Sequence, residues 1–416
     1  MFTFTIWAAY GDAVIFRLKL AIRKLEVEGM EFMGYCRPDG SVGIRNHVLV
    51  MPTVVCANQV ARGISLNVKG TTWFEHQHGC SQLAPDAAQT ARALIGHGAH
   101  PNVYGVIVVG LGCEVVRAQE VAAEIKKRCP YKPVQLVIIQ DEGGSYRAIQ
   151  AGATAAHHMV LAASLLKREP VDAGQLILGT ECGGSDACSG IAANPALGAA
   201  SDLLVDLGGT SVLAETPELI GAEHIIAERA VNEEVRQKCY NTIKAFEASA
   251  IAMGVDMRGG NPTPGNIEGG LSSIEEKSLG CVYKGGSRPL QAVIDWAEAI
   301  TKKGLIYMDT PGNDIEQLTG MVAGGCQIAV FTTGRGTPTG SPITPTIKVA
   351  SNTAMYEKMQ DNMDINAGTV VTGDETIEQV GQRILDEMLA VASGKLTKAE
   401  VLGHNDFGIW RIAPTM

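Results

Sequence analysis

Short apolar runs rich in β-branched residues recur along the chain, with amphipathic stretches between them. In the first part of the chain these runs are HVLVMPTVV (47–55), VYGVIVVGL (103–111) and VQLVIIQ (134–140). Runs that are apolar throughout are typical of strands buried on both faces of a parallel sheet. The stretches between them, such as APDAAQTARALIGHG and RAQEVAAEIKKR, have a helical pattern. The alternation predicts βαβ units that form a doubly wound sheet.

A second series of the same kind follows an Ala-rich predicted helix at 145–168. Its predicted strands are QLILGTE, SVLAET, GLIYMDT and QIAVFTTG. The pattern therefore predicts an α/β protein with two doubly wound, mostly parallel-sheet domains, residues 30–170 and 171–393, and a site between them. Residues 258–290 are too rich in Gly, Pro and Ser for a core element, so we expect a long functional loop there.

The two ends of the chain do not fit this pattern. In residues 1–29 an apolar run precedes the positive charges, which is the reverse of the order in a signal peptide. We interpret 1–29 as an extension outside the fold and expect a chain that starts at Met30 to keep its fold and activity. Residues 394–416 are expected to form a C-terminal tail.

Composition excludes several classes of protein. Hydrophobic residues make up 46% of the 416 residues and charged residues 19%, which excludes a disordered chain. The net charge of −10 gives no general footprint for nucleic acid. No run approaches 18 apolar residues, so no membrane span is expected. The ten cysteines show no CxxC pair or regular framework, which favours a reducing cytoplasm.

Polar clusters follow five of the predicted strands. They are GLGCE (110–114), TECGGSDACSG (180–190), ETPE (215–218), MDTPGND (308–314) and TTGRGTPTG (332–340). Ligands of open α/β sheets bind beyond the carboxyl ends of the strands. Five such clusters in succession therefore predict an active site.

One candidate group is EHQHGC (75–80). In an extended segment alternate residues share a face, so His76, His78 and Cys80 are candidate metal ligands or acid–base groups. The alternative is a polar loop in which one histidine caps a helix.

A second candidate group is Cys182, Asp186 and Cys188. Thiolate and carboxylate ligands suit Fe²⁺, Zn²⁺ or Mn²⁺, whereas the alternative is a pair of buried thiols. An iron–sulfur cluster formed with Cys113 and Cys326 is disfavoured because no ferredoxin-like spacing is present.

Isolated cations form a third group. Arg45, Arg335 and Lys348 lie in or near Gly- or Thr-rich turns and suit a substrate carboxylate, although each is equally compatible with a surface role. The segment GLGCEVV begins like a dinucleotide-binding turn, but its third glycine position holds Val115. Hydride transfer is therefore disfavoured.

The order of several long motifs resembles that of the altronate and galactarate dehydratase family. These motifs are GYCRPDGSVGIRNHVLV (34–50), HGC (78–80), HPNVYGVIVVGLGCE (100–114), TECGGSDACSGIAANPALG (180–198), ETPELIGAEHI (215–225), PGNIEGGLSSIEEKSLG (264–280) and the segment 308–349. The resemblance implies removal of water from a sugar acid to give a 2-keto-3-deoxy acid, with Fe²⁺ or Mn²⁺ as the metal. It also implies a small amino-terminal domain, whose motifs are missing here. That domain is either dispensable or supplied by a separate small subunit, and we expect the subunit.

The resemblance also implies a set of site residues. A base near neutral pKa and a cation beside the substrate carboxylate are needed to form an enediolate. We expect His76 or His78 as base or ligand, and Glu114, Glu215 and Asp309 as acid–base or supporting groups. The metal candidates are His78, Cys80, Cys113, Cys182 and Asp186. The substrate-carboxylate candidates are Arg45, Arg335 and Lys348.

Two other functions stay open at this point. One is the large subunit of a sulfolactate sulfo-lyase, a similar protein that eliminates sulfite. The other is a noncatalytic subunit that only binds a partner, against which the dense polar strand ends argue. A homo-oligomer is compatible with each of them.

Overall fold

A parallel four-stranded sheet organises the first part of the chain. The computed structural model describes residues 29–416. The strands lie in the order β4-β3-β5-β6 and all run parallel. Their bounds are β3 His47–Pro52, β4 Thr71–Trp73, β5 Val103–Gly110 and β6 Val134–Ile138. The accompanying helices are α1 Asn58–Asn67, α2 Ala84–Ala99, α3 Ala118–Arg128 and α4 Ser145–Ala163. The three apolar runs are confirmed as parallel strands, of which β3 and β5 are buried, whereas β6 is an edge strand with its first three residues partly or fully exposed.

A seven-stranded parallel sheet organises the second part. Its order is β10-β11-β9-β8-β12-β13-β14. The strands are β8 Ile177–Cys182, β9 Thr210–Leu213, β10 Leu290–Ile294, β11 Gly304–Met308, β12 Ile328–Thr333, β13 Thr346–Ala350 and β14 Ile365–Asn366. The helices are α5 Asn194–Asp206, α6 Glu223–Ala227, α7 Glu233–Ala252, α8 Pro264–Glu268, α9 Ile274–Val282, α10 Asp314–Gly324, α11 Thr353–Lys358, α12 Gly368–Thr372, α13 Ile377–Ala392 and α14 Lys398–Leu402. The predicted α/β class is confirmed.

A small antiparallel sheet combines two strands that precede the first unit with one strand that follows it. It consists of β1 Glu31–Cys36, β2 Val42–Gly43 and β7 Glu169–Asp172, in the order β2-β1-β7. Phe32 and Val42 belong to the same core cluster as Val171 and residues of α5 and α13. The segment around residue 32 therefore packs against the second unit.

The two parallel sheets share one apolar core. Leu49 and Met51 of the first sheet belong to the same buried cluster as Ile306 and Met308 of the second. Helices α2 and α10 lie side by side in this cluster, and a Cβ at Gly96 would overlap the backbone of Ala323. Burial of this apolar surface holds the two units together.

Residues 258–290 contain core elements, so the expectation of a loop without them is wrong. Helix α9 begins after Ser273, whose side chain accepts a hydrogen bond from the backbone of Glu276. Within this stretch Ile274, Cys281 and Lys284 are buried. The glycines and prolines lie mainly in the turns around α8 and α9, which is why composition alone concealed the helices.

The C-terminal residues pack onto the body of the protein. Helix α14 places Glu400 against Arg45, and Ile409 is buried beside Trp296. The prediction that residues 1–29 form an extension outside the fold concerns residues that lie, except for residue 29, outside the described part of the chain. Among the helices between residues 29 and 416, none has the length and apolar character needed to cross a bilayer.

Candidate active site

Four buried side chains meet at the carboxyl edge of the seven-stranded sheet. They are Cys182, Glu215, Glu218 and Cys281, and one ligand atom from each lies within 4.8 Å of the others. All four belong to the second unit. Helix α9, from the stretch 258–290, covers the sheet edge and brings Cys281 to it.

Neighbouring parallel strands place the first two of these residues. Cys182 ends β8, and Glu215 follows β9, which pairs with β8. Glu215 has a left-handed φ of 69°, and its N–H donates to Thr310 Oγ1 at 2.7 Å. Its carboxylate accepts from the backbone N–H of Cys182 at 3.1 Å. A strained, hydrogen-bonded conformation of this kind holds a side chain in one position.

Two buried lysines complete the centre. The Lys284 ammonium lies 3.0 Å from Cys182 Sγ and 2.9 Å from Cys281 Sγ, and it pairs with Glu215. Lys277 Nζ lies 2.5 Å from Glu218 Oε1. Buried charges are tolerated only when they are paired and hydrogen-bonded, so the lysines compensate the carboxylates and the thiolate.

The two thiols titrate in opposite directions. The hydrogen bond between the two thiols, together with the Lys284 ammonium, holds the pKa of Cys182 well below its usual range. Burial and the neighbouring Cys182 raise the pKa of Cys281 well above its usual range. The surroundings therefore favour the thiolate at Cys182 and the thiol at Cys281.

Three carboxyl groups around Cys182 have raised pKa values. Burial and the charge of Cys182 raise the pKa of Glu218 to about 8. The same two causes raise the pKa of Asp314 to about 6. Burial and Asp314 raise the pKa of Glu181 well above its usual range. Neither carboxyl oxygen of Glu181 has a hydrogen-bond partner among residues 29–416. Carboxyl groups with pKa values near neutrality are suited to proton transfer.

A cleft of about 180 Å³ adjoins the centre. Lys277 lies in its wall, together with Ser185, Asp186, Asn194 and Tyr283. Lys277 also contacts Glu218, so this lysine links the wall of the cleft to the buried cluster. The geometry thus combines buried acid–base groups with a small cleft whose wall includes a few polar side chains.

The donor set of the cluster fits a divalent metal ion. Two sulfur and two carboxylate oxygen ligands suit Fe²⁺ or Zn²⁺, and the atoms are already gathered within 4.8 Å. Cys182, Glu215, Glu218 and Cys281 are therefore the residues that would hold such an ion. Of the metal ligands expected from the sequence, Cys182 is in this group.

Asp186 lies in the wall of the cleft and is fully engaged by the protein. Its Oδ1 accepts from Ser189 Oγ at 2.8 Å and from Ser351 Oγ at 2.7 Å. Its Oδ2 accepts from Asn352 Nδ2 at 2.9 Å. Asp186 also packs tightly against Gly334, which follows β12. The hydrogen bonds of Asp186 therefore hold the turn after β12 in place.

The histidines expected at the site lie in the first unit. His76 is buried, its Nε2 bonds to the Pro52 carbonyl at 2.9 Å, and its Nδ1 accepts from the His78 N–H at 3.2 Å. Burial lowers the pKa of His76 to about 4. Both ring nitrogens are thus used by the backbone. The half-buried His78 ring stays accessible, and burial and Arg411 lower its pKa.

Other expected residues of the first unit line the carboxyl edge of the first sheet. Glu114 is buried and accepts from Gly112 N–H at 2.6 Å and from Thr53 Oγ1 at 3.3 Å. Cys80 and Cys113 are exposed free thiols. The structure therefore separates these residues from the Cys182 group.

The expected substrate-binding cations have different surroundings. The buried Arg45 guanidinium donates to Glu400 and to three backbone carbonyls. Arg335 is partly exposed and pairs with Glu268 at 3.1 Å. Lys348 is buried, burial lowers its pKa to about 8, and its Nζ has no hydrogen-bond partner among residues 29–416.

Asp309 is the remaining acid–base candidate. It follows β11, and its Oδ1 accepts from Thr216 Oγ1 at 2.6 Å. Thr216 Oγ1 also accepts a hydrogen bond from the Tyr307 hydroxyl at 2.7 Å. Asp309 therefore belongs to a hydrogen-bond network that supports the turn at Glu215.

Several residues of the centre were missed from the sequence. Glu218, Glu181 and Asp314 lie inside motifs that were recognised, but they were not singled out. Lys277, Cys281 and Lys284 lie in the stretch predicted as a loop. Their spacing of four and three residues is that of one helical face, which is the signal that would have found them.

Comparison with known proteins identifies the family. Residues 34–164 match the family model described as D-galactarate dehydratase/Altronate hydrolase, second domain. Residues 173–415 match D-galactarate/Altronate dehydratase, C-terminal. The chain belongs to the galactarate and altronate dehydratase family. It is therefore an enzyme of a hydro-lyase family, and the resemblance seen in the motifs is confirmed.

The relatives of this dehydratase-family chain carry different names. The altronate dehydratase of Bacillus subtilis is 38% identical over 403 residues, which cover 94% of this chain and 79% of the relative. The galactarate dehydratase (L-threo-forming) of Escherichia coli is 37% identical over 408 residues, which cover 93% and 78%. The (2R)-sulfolactate sulfo-lyase subunit beta of Chromohalobacter salexigens is 38% identical over 390 residues, which cover 93% and 99%.

Proposed function

We propose that this protein removes water from a sugar acid of the altronate or galactarate type and yields a 2-keto-3-deoxy acid. The observation that carries the proposal is the buried group of two thiols, two carboxyl groups and two lysines, one of which lies in the wall of a small cleft. Dehydration at such a centre requires abstraction of the proton α to the carboxylate and loss of the β-hydroxyl.

The chain's own groups suit both proton transfers. Asp314, with a pKa of about 6, is ionised at neutral pH and suits the base. Glu181, with a pKa well above its usual range, keeps its proton and suits the acid that assists loss of the hydroxyl. Lys277, at the wall of the cleft, suits the substrate carboxylate as a positive point charge.

We propose that Cys182, Glu215, Glu218 and Cys281 hold a divalent metal, with Fe²⁺ favoured by the two sulfur ligands and Mn²⁺ as the alternative that the family resemblance implies. When bound, such an ion stabilises the negative charge that develops on the substrate oxygens. Lys284 would then set the charge of the ligand shell, because it contacts both sulfurs.

Sulfolactate is a second candidate substrate. The sulfo-lyase subunit is as similar to this chain as the altronate dehydratase is, and the match spans 99% of that relative. Elimination of sulfite also begins with removal of a proton α to a carboxylate, so the same groups serve both reactions. Because that relative is named a beta subunit, we also propose that this chain works with a separate small subunit.

The leaving group decides between the two reactions. Full-length protein loaded with Fe²⁺ under anaerobic conditions is assayed with altronate, galactarate and sulfolactate, with and without the small subunit. A 2-keto acid formed from a sugar acid supports dehydration, and sulfite released from sulfolactate supports the second candidate. Turnover of neither class in either condition contradicts both.

A pair of cysteine variants tests the location of the reaction. Cys281→Ser should lower turnover by about 10² or more, the scale of a lost catalytic group. Cys326→Ala is the matched control, since Cys326 is equally buried but belongs to the shared apolar core. Equal losses in the two variants would contradict a reaction at the Cys182 group.

A further inference from the structure

Three of the four exposed cysteines lie at one edge of the first sheet. The exposed free thiols are Cys36, Cys56, Cys80 and Cys113, whereas five of the other six cysteines are buried and one is half-buried. Cysteine is among the residue types most often buried, so a group of exposed thiols needs a reason. The first of the four lies in the small antiparallel sheet, and the other three lie at the carboxyl edge of the first parallel sheet.

The strand order brings these three thiols together. Cys56 follows β3, Cys80 follows β4, and Cys113 follows β5. In the sheet, β3 lies between β4 and β5, and all three strands are parallel. The segments that carry the thiols therefore leave the sheet at the same edge, from adjacent strands about 4.8 Å apart.

Hydrogen bonds hold the three segments against one another. Val55 N–H, next to Cys56, donates to the His78 carbonyl at 2.9 Å. The N–H groups of Val115 and Val116 donate to the Gly79 carbonyl at 2.9 and 3.0 Å. The segment that carries Cys80 thus contacts both of the others.

The backbone around Cys80 is held in an unusual conformation. Gly79 has a φ of +99°, and the backbone of Thr53 leaves no space for a Cβ there. Ser81 has a φ of 52°, which is strained for a residue other than glycine. Its carbonyl accepts from the Met416 N–H at 2.9 Å. The strained φ of Ser81 and the absence of space for a side chain at position 79 restrict the backbone on both sides of Cys80.

The separation of the thiols argues against a single metal ion. Two sulfurs bound to one tetrahedral ion lie within about 4 Å of each other, since each bond is about 2.3 Å long. Between residues 29 and 416, the Cys182 group is the one in which three or more ligand atoms lie within 4.8 Å of one another. In a polynuclear cluster each thiolate binds a different metal atom, which suits thiols that are farther apart.

We propose that Cys56, Cys80 and Cys113 bind a [4Fe–4S] cluster at the carboxyl edge of the first sheet. Three thiolates ligate three of the irons, so the fourth iron has no cysteine ligand and is open to an oxygen ligand such as water, a hydroxyl or a carboxylate. His78 lies two residues before Cys80 and is accessible beside this position. The site is distinct from the buried Cys182 group and does not depend on the substrate proposed above.

The test is the iron and acid-labile sulfide content of the full chain after anaerobic reconstitution with ferrous iron and sulfide. We expect about four sulfides per chain, about four irons in addition to any iron held by the Cys182 group, and an iron–sulfur absorption band in the visible range. Cys56→Ser, Cys80→Ser and Cys113→Ser should each lower the sulfide content at least five-fold. Cys36→Ser, which removes the remaining exposed thiol, is the matched control and should keep it.

Other measurements keep the result unambiguous. Cys281→Ser should retain the sulfide, because it alters the other centre. If a serine variant fails to fold, alkylation of the unmodified protein replaces it: loading should protect Cys56, Cys80 and Cys113 and leave Cys36 reactive. One zinc or iron per chain without sulfide, or equal alkylation of all four thiols after loading, overturns the proposal. Sulfide content is measured without substrate, so an inactive protein would count against the proposed reaction and not against this site.

Discussion

Arg45 provides a sharp test of whether an isolated cation in a polar turn binds substrate or stabilises the fold. Its Nε donates to Glu400 Oε1 at 2.7 Å and its Nη2 to Oε2 at 2.9 Å, which is a bidentate pair. The remaining donors bond to the carbonyls of Ile44, Val391 and Lys395 at 2.7 to 2.8 Å. A guanidinium has five N–H donors, so none is left for a substrate.

The burial of the Arg45–Glu400 pair sets the size of the expected loss in the free energy of unfolding. The side chains of Arg45 and Glu400 are 7% and 17% exposed. Removal of one partner of a buried pair costs about 3–5 kcal/mol, because the other charge stays buried without compensation. Arg45→Met should therefore lower the free energy of unfolding by about that amount. At roughly 2 °C per kcal/mol for a large domain, the melting temperature should fall by roughly 6–10 °C.

Thermal unfolding and steady-state kinetics together measure the effect. Arg117→Met is the control, since Arg117 and Glu120 form an exposed pair with 61% and 70% of their side chains accessible. That change should alter stability by less than about 1 kcal/mol. A double variant, Arg45→Met with Glu400→Met, should be less destabilised than the sum of the single changes. If Arg45→Met leaves the melting temperature unchanged and raises KM ten-fold, this reasoning is refuted and Arg45 binds the substrate.

Two further predictions concern buried titratable groups. His76, His97 and His100 are buried, and burial lowers the pKa of His76 and His97 to about 4 and that of His100 well below its usual range. The folded protein therefore favours the neutral imidazoles. Their contribution to the free energy of unfolding is complete above pH 6.5 and is lost as the pH falls toward 4. Urea unfolding should accordingly show a loss of about 2 kcal/mol for each of His76 and His97 between pH 7 and pH 5. Glu181→Gln should leave the melting temperature nearly unchanged, because the carboxyl group is already neutral, but should lower turnover by about 10² or more if Glu181 is the acid.

Each of these two predictions has a defined contrary result. For the histidines, His97→Asn should reduce the acid sensitivity, and equal stability at pH 7 and pH 5 in the unmodified protein would contradict the reasoning. For Glu181, wild-type turnover in the glutamine variant would exclude it as the acid. A large loss of stability in that variant would show that the carboxyl group is ionised in the folded protein.

The local sequence pattern was enough to predict which segments form the buried strands. Strand β5, with the sequence VYGVIVVG, is apolar on both faces and followed by glycines, so its burial in a parallel sheet follows from period and composition. The same holds for β8 and β12, which carry the recognised polar motifs at their carboxyl ends. Because parallel strands end at a common edge, the sequence alone predicted that Cys182 and Glu215 belong to an active-site edge.

Long-range packing decided the rest. Cys281 and Lys284 come from a segment whose glycines and prolines suggested a loop, yet it closes over the edge of the sheet and meets residues about 70 to 100 positions earlier in the chain. Arg45 and Glu400 are 355 positions apart, so their ion pair leaves no local signal in the sequence. Both ring nitrogens of His76 bond to the backbone, one to the Pro52 carbonyl 24 positions earlier in the chain and one to the His78 N–H. Local periodicity determines which residues form strands and helices, whereas the partners of a buried charge are set by which segments the apolar core brings together.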